Sequence, residues 1–255
     1  MRTLTFLLLF CVKFVTAQQF ERAIIEDPDG FTNVRAQPAS SAPALYKVTA
    51  SEVFECEKMT GDWWKFRSFH PGAQQLPNGT GYIHKSRVRI LKDLPDSSQR
   101  LVYRNILHAY HDITRQHNQQ FDTYLANGKK FTPVQDKDYK ESGKRHEELH
   151  DYAYSQVLEL MNAYLLRTRD SLVLLDWCQV FAEDTGSAAE YPGDAIAALF
   201  EAAPEWVIRV IRPLPKRERS IVIGQIEFGL MMDEDLPDAK RMAFEKRLKQ
   251  LEAMK

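Results

Sequence analysis

Between residues 23 and 91, apolar residues come in short runs that are separated by turn-forming residues. This spacing is typical of β-strands in a small sheet. We predict strands at residues 23–25, 33–35, 45–48, 53–56, 63–69, 80–84 and 88–91. A turn is predicted after the first strand, because Pro28 presets φ there and Gly30 accepts a positive φ. Six or seven short strands in about seventy residues predict a small closed β-barrel, which removes exposed sheet edges.

Three short motifs give this segment a family resemblance. The letters NVR stand at 33–35, GDWWKF at 61–66 and GYIH at 81–84. In this order and at this spacing they resemble the bacterial SH3 (SH3b) family, over residues 23–91. The opening DPDGFTNVR and the letters HKSR at 84–87 resemble a subtype found in envelope proteins of Gram-negative bacteria. The loop at 68–78 is longer than a simple hairpin needs, so we expect it either to cap or to obstruct a groove.

The resemblance implies binding of cell-wall peptides or partner proteins rather than catalysis. Small SH3-like barrels present aromatic-lined grooves to extended peptides. Trp63 and Trp64 are adjacent on a strand and point to opposite faces, so one belongs to the core and the other is available to a groove. For every aromatic candidate, packing inside the barrel is the alternative role. The predicted ligand-binding residues are Phe31, Asn33, Tyr46, Trp63, Trp64 and Tyr82.

Residues 1–17 have the order of an export signal. Arg2 precedes an apolar run at 4–12, and small residues allow cleavage after Ala17. Bulky Phe10 argues against lipid attachment at Cys11, and a buried N-terminal helix is the alternative interpretation. The run is too short for a permanent membrane helix, and no other run approaches that length. We predict a periplasmic or secreted protein without a membrane span after cleavage.

Charge and cysteine content narrow the function further. A net charge of -1 gives no surplus of Lys and Arg for phosphate contacts, so no nucleic-acid partner is predicted. The sequence has no glycine-rich phosphate loop and no nucleophile elbow, and we predict no cofactor. Cys56 alternates with Phe54, and Cys178 follows Trp177 in an apolar segment. Both cysteines are expected to be buried and unpaired, with a disulfide between them as the alternative.

From residue 95 the apolar period changes from two to about 3.6, which predicts an all-α domain at 95–255 after a barrel at 20–92. The letters DSSQ at 96–99 have the form of a capping box, which predicts a helix start there. The first long helix is expected to end before Gly128, and a second is expected to span 139–169. The two are expected to form an antiparallel hairpin. Shorter helices are predicted at 172–181, 192–202, 204–211, 215–232 and 237–253. Their arrangement is expected to be HEAT-like, although no fixed repeat is present.

One motif suggests catalysis. His146-Glu147-Glu148-Leu149-His150 matches H-E-x-x-H, in which two imidazoles bind zinc and Glu147 activates a water. The residues before it are polar, whereas a catalytic helix is usually buried where water is excluded. No third ligand follows at a characteristic spacing, although Asp170, Glu183 and Asp184 offer carboxylates.

We therefore predict a binding protein, without catalysis and without a bound metal. One alternative is a zinc metallopeptidase that uses residues 146–150. A related alternative is a structural zinc site, because the predicted hairpin brings His150 near a histidine of the first helix: His108, His111 or His117. A third alternative is a purely structural protein whose barrel packs on its own helical domain.

Overall fold

A computed structural model of the chain describes residues 20–128, 130–184 and 190–253. The predicted export signal at 1–17 lies outside these residues and stays a prediction. An antiparallel β-sheet domain comes first, and a helical region follows it from Asp96. The predicted fold class, a small barrel followed by helices, is confirmed.

Within the described residues, seven strands form one antiparallel sheet in the order β3-β2-β6-β5-β4-β1-β7. Each predicted strand is present to within two residues at either end. Alternate side chains enter the barrel core, which includes Val34, Phe54, Phe66 and Ile83. The strands are β1 Glu21–Ile25, β2 Phe31–Arg35, β3 Ala44–Thr49, β4 Phe54–Glu57, β5 Trp63–Arg67, β6 Gly81–His84 and β7 Val88–Ile90.

The long loop between β5 and β6 contains two short 3-10 turns, Pro71–Ala73 and Pro77–Gly79. Leu76, between them, is buried in the barrel core. Asn78 and Gly79 have φ values of 54° and 69°, the positive values that a type I′ turn requires. The loop is therefore an integral part of the barrel, and Asn78-Gly79 forms the turn that leads into β6.

The helical region begins with a long hairpin. Helix α1 packs along α2, and a π-helical turn, His150–Tyr154, joins α2 to α3. The predicted second long helix is thus one helical arm that contains a π turn. The helices are α1 Asp96–Ala126, α2 Pro133–Leu149, α3 Ser155–Thr168, α4 Ser171–Glu183, α5 Glu190–Ala202, α6 Pro204–Ile211, α7 Lys216–Met232 and α8 Asp238–Glu252.

The predicted capping box at the start of α1 is wrong. Pro95 is the N-cap, because its carbonyl accepts hydrogen bonds from the Ser98 and Gln99 amides, each at 2.9 Å. Asp96 is already helical, and the Gln99 side chain donates to the Leu94 carbonyl at 2.7 Å. The helix starts where predicted, but proline geometry and the backbone determine the start.

A capping box does form at the start of α2, in the stretch between the two predicted long helices. Thr132 accepts a hydrogen bond from the Gln135 amide, and the Gln135 side chain accepts one from the Thr132 amide. Helix α2 begins at Pro133, six residues before the predicted start at 139. Residues 135–138 are polar, so the apolar period that the prediction relied on is missing from the first turn.

Later helices follow the predicted starts closely. The Asp170 side chain caps α4 by accepting from the Leu172 and Val173 amides, and Pro204 occupies the first turn of α6. Helices two apart in the chain pack together (α3 with α5, α4 with α6, α5 with α7), as in a HEAT-like arrangement, and α4 also packs on α1 and α7. No helix of the described residues is long and apolar enough to cross a membrane.

The two cysteines are buried and free, as predicted. Cys56 lies in the barrel core and Cys178 in the separate helical core. Burial raises the pKa of the Cys56 thiol to about 12, and burial also raises the pKa of Cys178. Both thiols therefore behave as small hydrophobic groups.

The barrel docks on the helical region through one side. The Val53 amide donates to the Tyr152 carbonyl at 3.0 Å, and the His70 ring lies 4.8 Å from the Tyr152 ring. Val53 and Leu91 are buried in the helical core, and Ile24 packs against it. The helices thus contact the β3–β4 turn, the outward side of β1 and the end of the barrel.

Candidate binding site

Outward-pointing side chains of β2, β5 and β6 form one surface, which we call the outer face. In the β5–β6 ladder Trp63 lies opposite His84, and Lys65 lies opposite Tyr82. In the β2–β6 ladder Arg35 lies opposite Tyr82. Residues paired in register share a face of the sheet, so Tyr82 lies in a row between two cationic side chains.

Aromatic rings occupy both ends of the outer face. At one end the Trp63 and His84 rings meet edge to face, with centroids 5.2 Å apart. At the other end Phe31 and Asn33 share the outward side of β2, and the Nζ of Lys47 on β3 lies 4.3 Å from the Phe31 centroid. Apart from Lys47, which is exposed, these side chains are partly exposed. The face thus combines rings with cations.

Tyr46 and Trp64, also predicted as groove residues, lie on the inner side. Tyr46 is buried and its hydroxyl donates to the Glu52 carboxylate; burial and this partner raise the pKa of Tyr46. Trp64 lies opposite Ile83 and packs partly buried against the barrel core, beside Phe66. Tyr46 is therefore not part of the outer face, because its place in β3 points inward.

Among the described residues, the acidic side chains at the outer face pair with cations of the same region. Lys65 Nζ lies 3.0 Å from Glu57 Oε2 on the neighbouring strand. Asp62, in the turn before β5, pairs with Lys85 at 2.9 Å, and this hydrogen bond lowers the pKa of Asp62. A ligand with carboxylates can therefore find Lys47 and Arg35 beside the rings, whereas Lys65 already pairs with Glu57.

Gly81 allows β2 and β6 to approach closely. A Cβ at this position would lie 2.5 Å from Val34 Cγ1 and 3.2 Å from the Arg35 carbonyl oxygen. Only glycine fits there without a shift of β2. The glycine of the GYIH motif therefore sets the position of Tyr82 beside Arg35.

The prediction missed the cationic half of the outer face. Arg35, Lys65 and His84 lie within the recognised motifs. Because side chains two apart on a strand share a face, their spacing from predicted site residues of the same strand would have identified them. A crevice of about 450 Å³ between barrel and α2 was also missed. Tyr46, a predicted ligand-binding residue, lines this crevice. Its other walls come from distant segments, which include Lys47, Thr49, His70, Arg145, Glu148 and Tyr152.

The H-E-x-x-H motif lies at the end of α2. The rings of His146 and His150 lie 5.1 Å and 5.8 Å from the Tyr110 ring of α1, so both histidines face the hairpin interface. His150 Nδ1 lies 2.8 Å from Asp151 Oδ1, and Glu147 is exposed. In the part of the chain that the structure describes, no group of three or more His, Cys, Asp or Glu side chains is arranged to hold a metal ion.

The other proposed zinc ligands have separate partners. Asp170 accepts from the Tyr164 hydroxyl at 2.7 Å, and Asp184 accepts from the Tyr110 hydroxyl at 2.7 Å. His108 Nε2 lies 2.9 Å from Asp176 Oδ2. The remaining candidates, Glu183 and His111, lie at the end of α4 and on α1.

Stacked rings fill the α1–α2 interface, and we call this set the aromatic ladder. Ring centroids follow one another at 4.5, 5.1, 5.8 and 4.5 Å from Tyr154 through Tyr110, His146 and His117 to Tyr139. Burial lowers the pKa of both histidines. Tyr110 and Tyr154 are buried, whereas His146, His117 and Tyr139 are partly exposed. The ladder differs from the outer face in that its rings stack on one another between two helices.

Comparison with known families agrees with this geometry. The family described as bacterial SH3 domain matches residues 30–89, which contain the whole outer face. The resemblance predicted from the three motifs is thus confirmed, and the barrel is a bacterial SH3 domain. Such a domain suggests a role in binding the cell wall or a protein. Searches among curated proteins and among solved structures gave no match.

Proposed function

We propose that this protein is an exported bacterial envelope protein whose SH3b barrel recognises an extended peptide of the cell wall or of a partner protein. It binds and does not catalyse, and the helical region is a scaffold with further interaction surfaces. One observation carries the proposal: Phe31, Trp63 and Tyr82 lie on the outer face together with cationic side chains.

The position of the helices supports a binding role over a purely structural one. They contact the barrel at Ile24, Val53, His70 and Leu91. These contacts are on β1, the β3–β4 turn and the loops, whereas the outer face is on β2, β5 and β6. None of the four contacts named here falls on a paired residue of that face, although Lys47 at its edge also lines the crevice with Arg145 of α2.

The outer face has the dimensions and chemistry for an extended peptide. Neighbouring strands lie about 4.8 Å apart, so the three strands offer a surface about 10 Å wide. An extended chain can place one group against Trp63 and His84 and another against Phe31. Arg35 and Lys65 flank Tyr82 between them. Charge-assisted hydrogen bonds from Arg35, and from Lys47 beside Phe31, favour ligands with free carboxylates, such as cell-wall peptides.

Co-sedimentation of the full chain with purified peptidoglycan sacculi tests this proposal. We expect wild-type protein to sediment and Tyr82→Ala and Trp63→Ala each to bind about tenfold or more weakly. Phe69→Ala is the matched control, because Phe69 is an aromatic of the barrel that is 49% exposed and contacts Arg22 of β1 instead. Absence of sedimentation would exclude the wall as ligand and leave a protein segment. Equal retention of all variants would overturn the outer face as the site.

Binding without catalysis has its own test. Purified protein is expected to contain no stoichiometric zinc, and Glu147→Gln is expected to retain full sacculus binding. Stoichiometric zinc together with peptide hydrolysis that Glu147→Gln abolishes would establish the metallopeptidase instead.

Export is tested by the N-terminus of the protein. In the native host, we expect the periplasmic or secreted fraction to contain a chain that begins at Gln18, after cleavage behind Ala17. A cytoplasmic protein that retains residues 1–17 would contradict the export signal.

A further inference from the structure

The crevice between the barrel and α2 lies at the edge of the outer face. Its volume of about 450 Å³ is within the range of small-molecule sites, about 300–1,000 Å³. Lys47 belongs to both surfaces: its Nζ lies 4.3 Å from the Phe31 ring centroid, and it also lines the crevice. A ligand can therefore continue from the outer face into the crevice at Lys47.

Three rings form one wall of the crevice. The His70 ring lies 5.7 Å from the Tyr46 ring and 4.8 Å from the Tyr152 ring. Tyr46 is buried beneath, whereas His70 and Tyr152 are partly exposed. The two partly exposed rings offer apolar surface to a flat ligand.

Backbone contacts hold these rings in place. The Gly72 amide donates to His70 Nδ1 at 3.0 Å, so the neutral imidazole has its proton on Nε2 and can donate from there. Tyr152 belongs to the π turn, and its carbonyl accepts from the Val53 amide at 3.0 Å. The wall is therefore positioned before a ligand arrives.

The charges that line the crevice balance. Lys47 and Arg145 are cations, and Glu52 and Glu148 are carboxylates. Glu52 is buried and already accepts hydrogen bonds from the barrel. Glu148 lies three residues after Arg145 and shares its side of α2, and its contact with Lys144 is long, at 3.7 Å. A ligand with both donors and acceptors fits this lining better than a free anion does.

We propose that the crevice binds a short saccharide of the cell wall, next to the peptide on the outer face. A sugar ring has an apolar face, which can pack on His70 and Tyr152. The hydroxyl groups at its edge both donate and accept, so they need a cation and a carboxylate together, as Arg145 and Glu148 provide. This inference rests on the proposed function, because wall peptides are attached to a glycan and a peptide on the outer face brings a sugar with it.

Amide shift mapping of the full chain with the β-1,4-linked disaccharide of N-acetylglucosamine tests this proposal. We expect the largest shifts at Arg145 and Tyr152, with Trp63 and Tyr82 nearly unchanged. Tyr152→Ala is expected to weaken binding of the disaccharide about tenfold or more. Arg145→Ala is expected to weaken it about fivefold, because it removes a hydrogen-bond donor.

Matched control variants are available away from the crevice. Tyr124 is also a partly exposed tyrosine on a helix, and its ring lies 4.6 Å from Phe131 at the other end of the α1–α2 hairpin. Arg115 is an exposed arginine of α1 that pairs with Asp112 at 3.2 Å. Tyr124→Ala and Arg115→Ala are expected to bind the disaccharide like the wild type. Thermal unfolding of all four variants verifies that the fold is retained.

The continuity of the two surfaces has a separate test. A wall fragment in which the disaccharide is joined to its peptide is expected to bind at least about tenfold more tightly than either piece alone, because the second contact becomes intramolecular. Tyr152→Ala is expected to lose this gain and to retain binding of the sugar-free peptide. Equal affinity of the joined fragment and the peptide would contradict a shared site.

Several outcomes would overturn the saccharide site. They are no shifts with the disaccharide, unchanged affinity in Tyr152→Ala, or the same crevice shifts with a sugar-free peptide, which would identify a peptide segment as the occupant. A chain that binds sacculi but not the disaccharide would overturn this inference alone. A chain that binds the disaccharide but not sacculi would overturn the proposed wall function instead, so the two failures are distinguishable.

Discussion

Two clusters of aromatic residues in this molecule have opposite roles. The aromatic ladder lies between α1 and α2, where each ring stacks on the next. Tyr110 and Tyr154 are buried there, and the other three rings are partly exposed. The rings of the outer face are partly exposed on interior strands of the sheet, and they contact a cation or another ring of the same face. Aromatic content alone therefore does not indicate a binding site. The direction in which the rings point distinguishes packing from recognition.

This difference predicts that the ladder stabilises the fold, whereas the outer face determines ligand affinity. Substitutions in the ladder should lower the free energy of unfolding. Substitutions on the outer face should lower binding with little effect on unfolding. The following predictions run from the largest expected effect on stability to the smallest.

Tyr110→Ala is expected to lower the free energy of unfolding of the helical region by about 3–5 kcal/mol, as for other large core aromatics. Tyr110 is fully buried, stacks on Tyr154 and His146, and donates to Asp184 at 2.7 Å. Tyr110→Phe keeps the ring and is expected to cost about 1 kcal/mol. Urea unfolding followed by circular dichroism measures both variants. A loss below about 1 kcal/mol for Tyr110→Ala would show that the ladder is not a structural core.

Gly81→Ala is expected to cost about 1–3 kcal/mol, because the new methyl group overpacks the contact with Val34. The shift of β2 away from β6 should also weaken ligand binding. Gly224→Ala on α7 is the control: its Cβ meets nothing within 4 Å, and alanine favours helix by about 0.8–1 kcal/mol. If Gly81→Ala were as stable as the wild type, the close approach of β2 and β6 would not require glycine at position 81.

The ladder also predicts a pH dependence. Burial lowers the pKa of His117 and His146 below the ordinary value of 6.5; His146 also faces His150, which lowers its pKa, and Asp184 and Asp151, which raise it. The unfolded chain then binds more protons than the folded one as the pH falls through 6.5. Stability from these groups is complete above that pH and decreases below it.

Urea midpoints at pH 7.5 and 5.5, for wild type and His117→Gln, test this dependence. We expect the midpoint to fall less in the variant between the two pH values, whatever its absolute stability. An equal fall in both proteins would assign the pH dependence to other groups.

Tyr82→Ala is expected to change stability least, by no more than about 0.5 kcal/mol, because Tyr82 is a partly exposed surface residue. The same variant should lose ligand binding. Thermal unfolding and sacculus sedimentation on one preparation measure both. A large loss of stability would show that Tyr82 packs as a structural residue, and the two clusters would then not differ in role.

Much of the fold could be predicted from local patterns. The strand positions follow from alternation and turn residues, and the start of α4 follows from Asp170, whose side chain caps the helix. The start of α2 could not be predicted from apolar period, because its first turn is polar and Thr132 determines it.

The candidate site was predictable only in part, because register and docking are not local. Tyr46 and Tyr82 are both tyrosines in predicted strands, so nothing in the sequence separates them. In the structure the Tyr46 side chain points inward, and its hydroxyl donates to Glu52. The contact of Val53 with Tyr152 joins residues about one hundred positions apart, and no motif marks either one.

Backbone amide shift mapping of the intact chain, titrated with solubilised wall peptide fragments, tests the central claim most directly. We predict the largest shifts at Phe31, Trp63 and Tyr82 and at the Trp63 indole N–H, with the aromatic ladder unchanged. The largest shifts at the crevice residues Arg145 and Tyr152, or no shifts at all, would contradict the outer face as a site for wall peptide.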